Sequence, residues 1–194
     1  MNLTEALAAS TITNYTTAFQ TAMTFILPHE VEFEHGDYGD YDHIRTENVA
    51  GDNGGATRYG VDAESHPGID VDNLDLDAAL AIYWSEWQKH ECDLLPDKLG
   101  IAAFDVWVNG GHANVWLQHA YNETNAPEDE ALAEDGNLGP ASIAALAACD
   151  QDAVLRVFLE QRQARFATLA RKLNYAQFLD GWTNRNEDLA ALLA

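Results

Sequence analysis

The feature that most constrains this chain is a break in its periodicity. Before residue 28 and after residue 75 the apolar residues recur at helical spacing, whereas from Val31 to Gly60 they keep no lasting period. "NYTTAFQTAMTFIL" sets Tyr15, Phe19, Ala22, Met23 and Ile26 along one helical face, and Pro28 marks the end of that helix or a kink in it. Asp75 is placed to cap "LDAALAIYWSEWQKH", which shares Leu76, Ala79, Leu80, Tyr83 and Trp87 on a face. "KLGIAAFDVWVNGG" reads as a buried helix stopped by Gly110-Gly111, and "HANVWLQHAYN" as the next one. Pro140 suits the first turn of "PASIAALAAC", Asp150 or Asp152 the cap of a long amphipathic helix, and "FLDGWTNRNEDLAALLA" a turn with a short helix. The expectation is a mainly α protein with one irregular loop or small β insertion after its first helix.

Composition narrows the function. Thirty-two acidic residues against ten basic ones give a formal charge of −22, which repels nucleic acid and anionic membranes. That charge serves solubility or adaptation to high salt. Two cysteines make no disulfide framework. The N-terminus lacks the basic start and apolar run of a signal peptide, and no stretch is apolar for long enough to span a bilayer. A soluble, cytoplasmically made monomer without cofactor or membrane insertion is expected.

Within the aperiodic stretch lies "GDNGGATRYG", residues 51–60. Its glycines permit positive φ and close approach of a ligand to the backbone, although Asp-Asn-Gly-Gly is also ordinary turn chemistry. Thr57 and Tyr59 alternate with Arg58 and would point to one side of an extended segment. Glu30 stands where the helix stops. The negative end of the helix dipole and apolar neighbours such as Phe25, Ile26 and Phe33 would raise its pKa, as a general acid requires. His35, His43 and Asp37 are weak candidates for a metal site without a recognised spacing. Asp105, inside an apolar helix, reads as a structural carboxylate paired with Arg162, Arg165 or Arg185.

Taken in order, these pieces resemble glycoside hydrolase family 108, the phage and bacterial N-acetylmuramidases. His29-Glu30, the Gly-Asp-x-Gly-Gly-Ala-Thr-x-Tyr-Gly-Val loop, "AIYWSEW", "LPDKLGIAAFDVWVNGG", "WLQHAYN", "EDGNLGPASIAAL" and "GWTNR" carry the resemblance over nearly the whole chain. It implies a lysozyme-like helical fold, with a catalytic region over 1–97 and a helical peptidoglycan-binding-like region over 98–194. It implies that Glu30 protonates the glycosidic oxygen, that Asp52 steadies the oxocarbenium ion or helps activate water, and that Thr57 orients that water. Gly54, Gly55, Tyr59, Asn109 and Trp182 are the expected substrate contacts, with a helix C-cap as the other reading of Asn109. The chain departs from the family's Glu-Gly-Gly-Tyr by reading Glu30-Val31-Glu32-Phe33, and it inserts "EHGDYGDYDHIRTENVA" before Asp52. Glu32, Glu34 and Glu47 therefore remain rival acids. The implied substrate is peptidoglycan and the implied activity is cleavage of the β-1,4 bond between N-acetylmuramic acid and N-acetylglucosamine. The implied setting is phage lysis from the host cytoplasm. Lytic transglycosylase activity and a non-catalytic wall-binding or virion module are the alternatives.

Overall fold

The computed structural model describes residues 1–34, 36–48, 55–125, 131–172 and 175–194. Two compact units divide at residue 89: Met1–Lys89 and His90–Ala194. The architecture is mainly α with a small sheet, as the periodicity predicts.

The first unit begins with α1 (Leu3–Ala9), a short helix that the sequence reading did not anticipate. Asn2 and Glu5 close a capping box on it, and this offsets the low intrinsic stability of so short a helix. Helix α2 spans Thr17–Glu30 and α3 spans Leu76–Lys89. Thr16 caps α2, so Tyr15 lies before the helix rather than on its face. Phe19, Ala22, Met23 and Ile26 are fully buried, as are Ala79 and Leu80 of α3, with Trp87 nearly so. Phe19 meets Trp84 and Trp87 edge-on at 5.1 and 5.6 Å. Asp75 accepts the Ala78 N–H at 2.8 Å and starts α3 where the sequence places its cap. Pro28 neither ends nor breaks α2. It sits in the last turn, which continues to Glu30 and closes with Val31 N–H on the Leu27 carbonyl.

The stretch without helical period folds back on itself. Phe33 and Ile44 form an isolated antiparallel bridge, flanked by Glu34 N–H on the His43 carbonyl and Arg45 N–H on the Glu32 carbonyl. A three-stranded antiparallel sheet follows, in the order β1 (Glu47–Asn48), β2 (Ala56–Arg58), β3 (Val61–Asp62).

The second unit is helical: α4 (Asp97–Val108), α5 (Ala113–Thr124), α6 (Pro140–Ala148), α7 (Gln151–Lys172) and α8 (Leu179–Leu193). Every residue of α4 from Leu99 to Val106 is buried. Asp105 is among them, fully excluded from solvent. Its carboxylate meets Arg162 Nη2 at 2.6 Å and Arg185 Nη2 at 2.7 Å. Two of the three predicted arginines thus hold it. Asp150 caps α7 through the Ala153 N–H at 3.1 Å. The expected turn at Gly181 is absent. Gly181 lies inside the fifteen-residue α8, where Trp182 stacks on Phe166 of α7 at 5.3 Å. Packing outweighs the cost of one helical glycine, on the order of 1 kcal/mol. Cys92 and Cys149 are both free thiols. No described helix is long and apolar enough to cross a membrane.

Candidate active site

Helix α2 ends at Glu30, whose side chain is half-buried. Its position is set by the β2–β3 hairpin. Thr57 pairs with Asp62 and Arg58 with Val61, which leaves Tyr59-Gly60 as a two-residue turn. Both take positive φ, +53° and +75°, the geometry that matches the twist of a tight hairpin. A Cβ on Gly60 would stand 2.8 Å from Glu30 Cβ and 2.5 Å from the Tyr83 hydroxyl. Only glycine lets the turn pass so close. The Tyr83 hydroxyl donates to the Tyr59 carbonyl at 2.9 Å, so α3 also holds the turn.

A polar cavity of about 520 Å³ opens beside this junction, lined by His29, Glu30, Glu32, Glu47, Thr57, Gly60, Asp62, Glu64 and Ser65. Its volume falls in the range of ligand-binding clefts. Five carboxylates share the space. Arg45 takes Glu47 at 2.7 Å and reaches Glu32 at 3.9 Å. Asp62 lies beside Thr57 and accepts the Ser65 N–H at 2.8 Å. Burial pushes the Asp62 carboxyl up, but the Ser65 hydrogen bonds and the nearby His66 outweigh it and hold the group below its ordinary 3.8. Asp62 therefore stays ionised at neutral pH. A groove of similar size lies between α7 and α8, with Leu155, Leu159, Ala190 and Leu193 on its walls and Asp152, Arg156, Glu160 and Glu187 also lining it.

The cavity brings together Glu30 and Thr57 from the expected site, with Glu32 and Glu47 of the rival acids. Gly55 stands just before β2 with φ +71°. Tyr59 corrects the expected alternation: the strand ends at Arg58, and the Tyr59 ring is 6% exposed and buried. Its contribution at the site is its carbonyl, held by Tyr83. Asp52 and Gly54 lie outside the described residues, as does His35. His43 faces Asp40 at 3.2 Å and Asp37 at 3.7 Å, and among the described residues no group of three or more histidines, cysteines or carboxylates is placed to hold a metal. Asn109 is the C-cap of α4 and borders a small cleft with Gly110, Gly111, Trp116 and Arg162. Trp182 is half-buried between Phe166 and Phe178. Sequence reasoning missed Glu64, Ser65 and, above all, Asp62. Asp62 stands immediately after the recognised loop motif, and its strand partner Thr57 was the available signal.

Comparison with known proteins gives the same order along the chain. Residues 45–111 match the family model described as Glycosyl hydrolase 108, and residues 112–187 match a predicted peptidoglycan domain. Thr57, Gly60 and Asp62 fall inside the first match, while Glu30 precedes it. Among solved structures, the chain is similar to one titled "Structure of Brucella abortus SagA", at 22% identity over 90% of this chain and 92% of that one, with a TM-score of 0.65. That likeness speaks for the fold. No protein of curated function matches the chain.

Proposed function

Because the chain belongs to the glycosyl hydrolase 108 family and is a peptidoglycan hydrolase of the lysozyme type, we propose that it is an N-acetylmuramidase with Glu30 as its general acid. The observation that carries this reading is the seating of Glu30 at a helix end, against Gly60, on a cavity shared with Thr57. The bond cleaved is the β-1,4 link from N-acetylmuramic acid to N-acetylglucosamine. Glu30 protonates the bridging oxygen as the C1–O bond breaks, Asp52 steadies the oxocarbenium ion or helps activate water, and Thr57 orients the attacking water. Glu32 and Glu47 are weaker choices for the acid, because Arg45 already contacts both, at 3.9 and 2.7 Å, and neither sits at the helix end against Gly60. Gly54 and Gly55 let the glycan approach the loop backbone, and Asn109 and Trp182 serve wall recognition in the second unit. The setting in this reading is lysis by a phage or prophage, the enzyme waiting in the host cytoplasm as a monomer until the wall is reached.

Digestion of purified peptidoglycan followed by mass spectrometry tests the proposal. New reducing-end muramic acid from the wild type, and none from Glu30→Gln, is the expected result. Anhydro-muramic ends would make the protein a lytic transglycosylase instead, and full activity of Glu30→Gln would remove the acid assignment.

A further inference from the structure

We propose that Asp62 is the general base of the reaction, the carboxylate that takes the proton from the attacking water. The inference rests on the muramidase reading above and gives the water's proton to Asp62, leaving Asp52 to steady the oxocarbenium ion. Thr57 and Asp62 are direct partners across the β2–β3 ladder. Residues opposed in an antiparallel pair project from the same face of the sheet, a few ångströms apart. Both line the cavity that Glu30 lines. A water oriented by the Thr57 hydroxyl therefore lies within reach of the Asp62 carboxylate.

The other carboxylates of the cavity are less suited. Glu47 is engaged by Arg45 at 2.7 Å, which ties its carboxylate to another partner. Glu32 and Glu64 are exposed side chains. Asp62 is half-buried and fixed by the Ser65 N–H at 2.8 Å. A carboxylate has about four acceptor positions, so that bond leaves capacity for a water. The depressed pKa of Asp62 keeps it ionised and ready to accept.

The step balances as follows. Glu30 gives its proton to the leaving oxygen and the C1–O bond breaks. The water oxygen bonds to C1 from the opposite face, and its proton passes to Asp62. Solvent then returns a proton from Asp62 to Glu30. The product forms with inverted configuration, the outcome for a base that works through water.

Azide rescue tests the role directly, because azide attacks C1 without needing a proton removed. On soluble peptidoglycan fragments, Asp62→Ala is expected to lose about 100-fold or more in kcat with KM little changed. Added sodium azide should restore turnover and yield the α-glycosyl azide from the β-linked substrate. Asp62→Asn keeps an acceptor for the Ser65 N–H and should show the same loss, which separates chemistry from folding. Retention of kcat to within about threefold in both variants overturns the proposal. So does a loss that azide rescues neither in rate nor in adduct. Glu30→Gln in the same assay tells the two readings apart. If it is inert while the Asp62 variants are active, the muramidase acid stands and only the base assignment falls.

Discussion

The two units treat a buried carboxylate in opposite ways. In the second, Asp105 is fully excluded from water and held by two guanidiniums, Arg162 and Arg185, at 2.6 and 2.7 Å. Its charge is committed to the fold. In the first, Glu30 and Asp62 are half-buried on a polar cavity, and Arg45, the arginine paired there, is engaged by Glu47 and Glu32. Full burial behind two guanidiniums seals a carboxylate from water and substrate, whereas half-burial on a polar cavity beside a glycine turn fixes a position and leaves the group open to both. One sequence with 32 acidic residues thus contains both kinds, and access to the cavity distinguishes them.

The largest expected effect tests the chemical side. Glu30→Gln should lower kcat by about 10²–10⁴-fold, the range for removal of a positioned general acid, while leaving the thermal midpoint nearly unchanged. A turbidity assay beside a melting curve reads both. A large fall in stability without loss of turnover would put Glu30 in the same class as Asp105.

Asp105→Ala is the converse. It leaves two buried guanidiniums without their anion, which costs about 3–5 kcal/mol, or a midpoint lowered on the order of 10–20 °C. Turnover per folded molecule, measured well below the transition, should survive. Burial already lowers the Arg162 pKa against the pull of Asp105, so removing the carboxylate takes away its main compensation. A midpoint that hardly moves would break the comparison.

Gly60→Ala attacks the geometry between these extremes. An L-residue at φ +75° costs about 1–3 kcal/mol, and the new Cβ would press on Glu30 and Tyr83. Stability and kcat should fall together, unlike either variant above. Tyr83→Phe is milder. It strips one donor from the Tyr59 carbonyl, about 1 kcal/mol by chemical denaturation, and leaves the turn sequence intact.

The sequence made the helical frame legible because burial and period agree there. Phe19, Ala22, Met23 and Ile26, then Ala79, Leu80 and Trp87, are buried where spacing places them. Asp75, Asp150 and Pro140 start helices where cap chemistry predicts. The misses are places where non-local packing overrides local signals. Pro28 stays helical because only the final turn follows it, Gly181 because Trp182 docks on Phe166, and Tyr59 turns inward because a hairpin ends β2 one residue earlier. At the site, Glu30 and Thr57 could be named from motif order. Asp62 could not, because its value comes from cross-strand register, which no one-dimensional spacing shows.

The smallest effect is also the most specific to Asp62. Its folded pKa lies below the ordinary 3.8, so the folded state holds its proton less tightly than the unfolded chain does. The stability it contributes is fully present above that value and is lost as pH falls through the lower, folded one. Asp62→Asn removes the charge at every pH. The gap in thermal midpoint between wild type and this variant should therefore be constant from neutral pH down to about pH 5 and shrink as the solution is acidified past 3.8. Asp105→Ala, by contrast, should stay far less stable than wild type across the same range, because two guanidiniums remain buried whatever the acidity. A gap for Asp62→Asn that widens on acidification would mean that the native fold binds the Asp62 proton more tightly than the unfolded chain does, and the contrast between an exchangeable and a committed carboxylate would lose its ionised member.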